Sequence, residues 1–76
     1  MIPIELNLFV TLARYRPGGT SRFEVEKGTT VTGLMALLGI EADMVKLIFI
    51  NGKKADPETV IQANDRVGLF PPVGGG

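Results

Sequence analysis

The chain of 76 residues contains no His and no Cys. That removes imidazole bases, thiolate nucleophiles, disulfides and the usual structural zinc sets. Asp43, Asp56, Asp65 and the glutamates are scattered, without calcium-loop spacing, so no metal site is expected. Gly18-Gly19 lacks the strand, glycine loop and helix that cradle a phosphate. What is left is the run Pro71-Pro72-Val73-Gly74-Gly75-Gly76, which has no reactive side chain. Its reactive group is the terminal carboxylate of Gly76. Pro71 and Pro72 fix φ and favour an extended exit. Gly74, Gly75 and Gly76 have no Cβ, so their backbone can enter a channel where any side chain would clash. Six extended residues, Val73 among them, reach at most roughly 20 Å. The competing reading is a disordered terminus or an expression remnant.

A carboxylate is held out from a body, and the pattern upstream describes that body. Ile4, Leu6, Leu8 and Val10 alternate with Glu5, Asn7, Phe9 and Thr11, predicting a half-buried strand over 4–10. Phe9 falls on its polar side. Pro17-Gly18-Gly19 marks a loop, and Phe23 and Val25 alternate with acids and Arg22 in a second strand ended by Lys27-Gly28. Thr29 or Thr30 can cap a helix whose apolar face is Val31, Leu34, Met35 and Leu38, with Gly39 suited to its left-handed end and Ile40 folding back. Gly33 inside it is expected to mark close packing on the sheet or to be merely tolerated. Glu41 to Val45 reads as a short turn or a single helical turn. Leu47-Ile48-Phe49-Ile50 is a continuous apolar run, expected as a central strand. Asn51-Gly52 signals a tight hairpin to the return strand Lys53-Lys54-Ala55. Val60 and Ile61 are expected to plug the core from the loop opened by Asp56-Pro57. Arg66 to Phe70 forms the last strand. The order β-β-α-β-β-β is an α+β arrangement, one main helix on one face of a small mixed sheet.

Composition narrows the classes of function. The length fits one small domain, which buries about 60% of its unfolded surface, and the 45% apolar content must supply one core. Eight basic and eight acidic residues cancel, and the longest basic run is Lys53-Lys54. A nucleic-acid partner is therefore not expected. No stretch approaches the roughly 20 apolar residues that span a bilayer, and the N-terminus lacks a basic n-region. A cytoplasmic setting is expected, in keeping with the lack of Cys.

On Leu8-Phe9-Val10 running into Ala13-Arg14, on Phe49-Ile50-Asn51-Gly52, and above all on Asn64 through Phe70-Pro71-Pro72 to Gly76, the chain resembles the ubiquitin-like sulfur carriers. These are the small subunit of molybdopterin synthase and the thiazole-synthesis carrier. The resemblance covers nearly the whole chain. It implies a β-grasp domain over 1–70, with its end strands as parallel neighbours, and an extended tail over 71–76. It also implies a carrier that is not an enzyme on its own. An ATP-dependent, ubiquitin-activating-like enzyme adenylates Gly76, a sulfur donor converts it to a thiocarboxylate, and a second partner takes the sulfur. ATP belongs to that enzyme, and no cofactor is bound permanently. Phe70-Pro71-Pro72 resembles the molybdopterin synthase subunit, so that enzyme's large subunit is the expected partner. The triple glycine also resembles thiazole carriers, which keeps thiazole synthase as the alternative. The same tail would serve a ubiquitin-like protein modifier, and an inert β-grasp scaffold is the third class.

Docking a flexible tail costs roughly 1–2 kcal/mol of backbone entropy per ordered residue, so the partner must grip elsewhere too. Phe9 and Phe70 fall on the solvent side of their strands and, with neighbouring end strands, are expected to form an apolar partner-binding patch. The opposing reading is that this protein's own loops cover them. Arg14 matches a family position that contacts partners, and Arg66 lies on the side of Phe70. Either can equally be read as a solvated charge.

Overall fold

The computed structural model describes residues 1–9, 12 and 21–72. Within them, five strands, one α-helix and one 3-10 turn follow in the expected order. Strand β1 (Ile2–Leu8) buries Ile4, Leu6 and Leu8 and turns Glu5 outward, as its alternation requires. It begins two residues earlier than the alternation indicates and stops at Leu8 rather than Val10. Pairing sets the start: Ile2 lies opposite Val25 and Pro3 opposite Glu24 of the antiparallel strand β2 (Arg22–Val25). At the other end, Leu12 N–H donates to the Phe9 carbonyl at 3.0 Å, a turn that leaves the ladder. Leu12 itself is buried.

Helix α1 (Val31–Leu38) starts at Thr30, whose hydroxyl accepts from the Gly33 N–H at 3.1 Å. It ends in the left-handed Gly39 (φ 77°). Gly39 N–H donates to Ala36 and Ile40 N–H to Met35, a double closure that folds the buried Ile40 back onto the last turn. Val31, Leu34 and Met35 face the sheet, and Leu37 projects into solvent. Of the two readings of Gly33, close packing on the sheet is the one the structure removes. A Cβ there would meet Thr29 Cγ2 at 3.3 Å and Thr30 Oγ1 at 3.6 Å, so the glycine is close to the helix's own cap rather than to the sheet.

A 3-10 turn (Ala42–Met44) leads to β3 (Leu47–Ile50), the Asn51-Gly52 turn and the two-residue β4 (Lys53–Lys54). Asn51 (φ 55°) and Gly52 (φ 81°) are both left-handed, the geometry that matches strand twist in a tight hairpin. The loop that follows inserts Ile61 into the core, whereas Val60 is 44% exposed. The two were expected to plug together. Val60 instead forms an isolated bridge with Thr30, and the extended backbone that makes this bridge turns neighbouring side chains to opposite sides.

Strand β5 (Arg66–Phe70) completes the sheet, whose order is β2-β1-β5-β3-β4. It runs parallel to β1 and antiparallel to β3. β3 is an interior strand, as its apolar run suggested, paired with β5 on one edge and β4 on the other, and the middle of the sheet is β5, with Val67 and Leu69 fully buried. β3 is flanked on its outer side only by two residues of β4, so of its four apolar residues Ile48 alone is buried.

Candidate docking face and tail root

Among the described residues, the sheet's second face has no helix over it. Its composition follows from register. Glu5 lies opposite Arg66 and Asn7 opposite Gly68 across the parallel pair, while Phe49 lies opposite Gly68 and Leu47 opposite Phe70 across the antiparallel pair. Partners in register share a face, so one surface collects Glu5, Asn7, Arg66, Gly68, Phe70, Phe49 and Leu47. Phe9 joins them just beyond β1, its N–H reaching the Leu69 carbonyl at 3.3 Å.

The rings of Phe9 and Phe70 are stacked, with centroids 4.2 Å apart and planes 6° from parallel. Phe49 meets Phe70 edge-on at 5.5 Å and 82°. The edge-on contact suits the aromatic quadrupole, and aromatic pairs of this kind contribute about 0.5–1.5 kcal/mol beyond burial. Beneath them lies Gly68. A Cβ there would sit 3.5 Å from Phe9 and 3.7 Å from Phe70. The missing side chain leaves a shallow hollow of about 350 Å³ floored by Gly68, walled by the three rings, and edged by Asn7, Gly52 and Arg66. Phe9 is 39% exposed and Phe70 is half-buried, so the patch is open to solvent although its rings partly cover one another.

The Arg66 end of the hollow is fixed by Asn51. Its N–H donates to the Arg66 carbonyl at 2.9 Å, and its Oδ1 accepts from the Arg66 N–H at 3.0 Å. Its Nδ2 donates to Asp65 Oδ1 at 2.9 Å, while Asp65 Oδ2 accepts from the Gln62 N–H at 2.8 Å. The turn residue thus extends the β3–β5 ladder through its side chain.

Of the residues expected to act, Phe9, Phe70 and Arg66 are brought to one hollow. Pro71 is half-buried and Pro72 exposed as the chain leaves β5. Arg14, Val73, Gly74, Gly75 and Gly76 lie outside the described residues. Phe49, Gly68 and Asn7 went unnoticed as parts of the surface. In Leu47-Ile48-Phe49-Ile50 both faces are apolar, so alternation cannot say where Phe49 points. Counting back from the Asn51-Gly52 turn and pairing with β5 would have placed it. Among the described residues, no group of three or more His, Cys, Asp or Glu could hold a metal ion, and no helix is long and apolar enough to cross a membrane.

A five-stranded mixed sheet with parallel end strands, wrapped on one helix, defines a ubiquitin-like β-grasp protein. A family model described as the ThiS family matches residues 7–76, and the chain belongs to that family of ubiquitin-like sulfur carriers. Among solved structures it is similar to SAMP1 from Haloferax volcanii, at 31% identity over 97% of this chain and 99% of that one, with a TM-score of 0.70. A second structure, of H. volcanii small archaeal modifier protein 1, matches at 26% identity over 96% of this chain and 100% of that one, TM-score 0.74. The Haloferax volcanii HVO 2177 protein, at 23% identity over 99% of this chain and 87% of that one, TM-score 0.73, shares the fold. A search of curated proteins returned no match.

Proposed function

We propose that this protein is a sulfur carrier whose Gly76 carboxylate is adenylated and then converted to a thiocarboxylate. A free carboxylate resists nucleophiles because it is anionic and has a poor leaving group. With ATP held by a ubiquitin-activating-like partner, a carboxylate oxygen of Gly76 would attack the α-phosphorus and release pyrophosphate, and a sulfur donor would then attack the acyl carbon and expel AMP together with that oxygen. The protein itself catalyses nothing in this scheme. It presents the acyl group and completes a partner's active site in the cytoplasm. The observation that carries the reading is the continuity of β5 with the tail. The strand that holds Phe70 in the aromatic patch runs straight into Pro71-Pro72, so in the sequence the reactive end follows the grip by only a few residues.

For the acceptor we favour the large subunit of molybdopterin synthase, on the Phe70-Pro71-Pro72 resemblance, with thiazole synthase as the alternative. A second reading, isopeptide modification of lysines, is favoured by the likeness to proteins named small archaeal modifiers. Intact mass spectrometry after incubation with the cognate activating enzyme, ATP and a sulfur source decides. The carrier reading expects a mass gain equal to the replacement of one oxygen by sulfur, confined to the C-terminal peptide. Lysine-linked adducts without that species would establish the modifier instead.

A further inference from the structure

Asn51-Gly52 is the sequence most prone to spontaneous deamidation, because glycine leaves its own nitrogen unshielded. Here both residues are exposed, so water is at hand. Yet the Asn51 side chain is held at both ends, Oδ1 by the Arg66 N–H at 3.0 Å and Nδ2 by Asp65 Oδ1 at 2.9 Å. Asp65 is in turn anchored through its other oxygen to the Gln62 N–H.

We infer that Asn51 is a latent modification site kept silent by the Asp65 carboxylate. In the reaction the Gly52 backbone nitrogen attacks Asn51 Cγ. The new N–C bond closes a succinimide, the Cγ–Nδ2 bond breaks, and the Gly52 amide proton leaves with Nδ2 as ammonia. Water then opens the ring at either carbonyl, giving aspartate or isoaspartate. Ring closure swings Cγ toward Gly52, which requires the Nδ2 donor to leave Asp65 and Oδ1 to leave Arg66. The reaction therefore proceeds from an opened turn, and the clamp sets how rarely that state is populated. The product replaces a donor with a carboxylate facing Asp65. Isoaspartate also inserts an extra carbon into a two-residue turn whose left-handed geometry is fixed (φ 55° and 81°). Either outcome disturbs the hairpin at Gly52 and the entry of β5 at Arg66, both of which edge the aromatic hollow. The inference stands on this hydrogen-bond network and is independent of the function proposed above.

The test follows isoaspartate and ammonia release at position 51 by peptide mass spectrometry during incubation of the full chain at neutral pH. Asp65→Ala, with circular dichroism confirming that it stays folded, is expected to deamidate faster than wild type by about tenfold or more, the factor set by losing one charge-assisted hydrogen bond. Asp65→Ser keeps an acceptor for the Gln62 N–H but not the second oxygen for Asn51, and is expected to show the same acceleration. Wild type in denaturant supplies the unprotected limit. Should Asp65→Ser, still folded, deamidate no faster than wild type, the protective role of Asp65 is overturned. It is overturned equally if folded wild type reacts as fast as the denatured chain.

Discussion

Phe70 is the last residue of β5, and its ring touches both Phe9 and Phe49 while remaining half-buried. Removing it costs two ring contacts but leaves the helix-facing core untouched. Phe70→Ala is expected to lose about 1–2 kcal/mol of stability and at least about tenfold in affinity for the activating enzyme, since buried aromatic anchors dominate interfaces. Thermal unfolding and titration calorimetry read the two effects separately. A stability loss above about 4 kcal/mol, typical of core Phe→Ala changes, would reassign Phe70 to the core. Gly68 offers a complementary probe. Alanine there meets the rings at ordinary contact distance and should be tolerated, whereas Gly68→Leu fills the hollow from beneath. The leucine variant is expected to fold, by circular dichroism, and to bind the partner weakly. Undiminished binding would show that the hollow takes no partner group.

Among the elements, α1 depends on its ends. It is eight residues long, too short to persist without caps and packing. Thr30→Ala leaves the Gly33 N–H without its acceptor and is expected to cost about 1 kcal/mol, roughly 4–8 °C in Tm for a domain of this size. An unchanged Tm would mean that water replaces the hydroxyl at no cost. This helix was legible in the sequence because cap, apolar spacing and terminal Gly39 agree independently. So was the Asn51-Gly52 turn, where the demand for left-handed backbone leaves few residue choices. Legibility failed where a side chain's direction depends on a partner strand. β1 begins at Ile2 because β2 reaches it, and Val60 turned outward because it bridges Thr30. The Phe9–Phe70 contact was anticipated from the alternation of each strand, but only once the end strands were taken as neighbours. Phe49 was missed because its strand is apolar on both faces. Asp65 was missed because its role is a side-chain bond to a residue 14 positions away, which no local pattern encodes.

For the molecule as a whole, equal numbers of acidic and basic residues leave no net charge to steer long-range encounter. Docking through an aromatic patch should therefore respond weakly to salt and carry a negative heat-capacity change. A steep fall of affinity with ionic strength, measured against the activating enzyme, would place the grip on charges such as Arg66 instead. Deleting Gly76 is expected to abolish sulfur loading while leaving the unfolding transition unchanged, because the described core ends at Leu69. Loading that survives the deletion would sink the tail mechanism. The placement of β5 also has a mechanical side. The tail leaves from the central strand of the sheet, bonded along both edges, parallel to β1 and antiparallel to β3. A pull on the terminus loads both ladders in shear, so their hydrogen bonds must yield together rather than one after another. A tail leaving an edge strand could instead be peeled away bond by bond. On the function proposed above, a partner that drew the glycines into a tight channel and later expelled them could thus tug on this protein repeatedly without unravelling the body that delivers them.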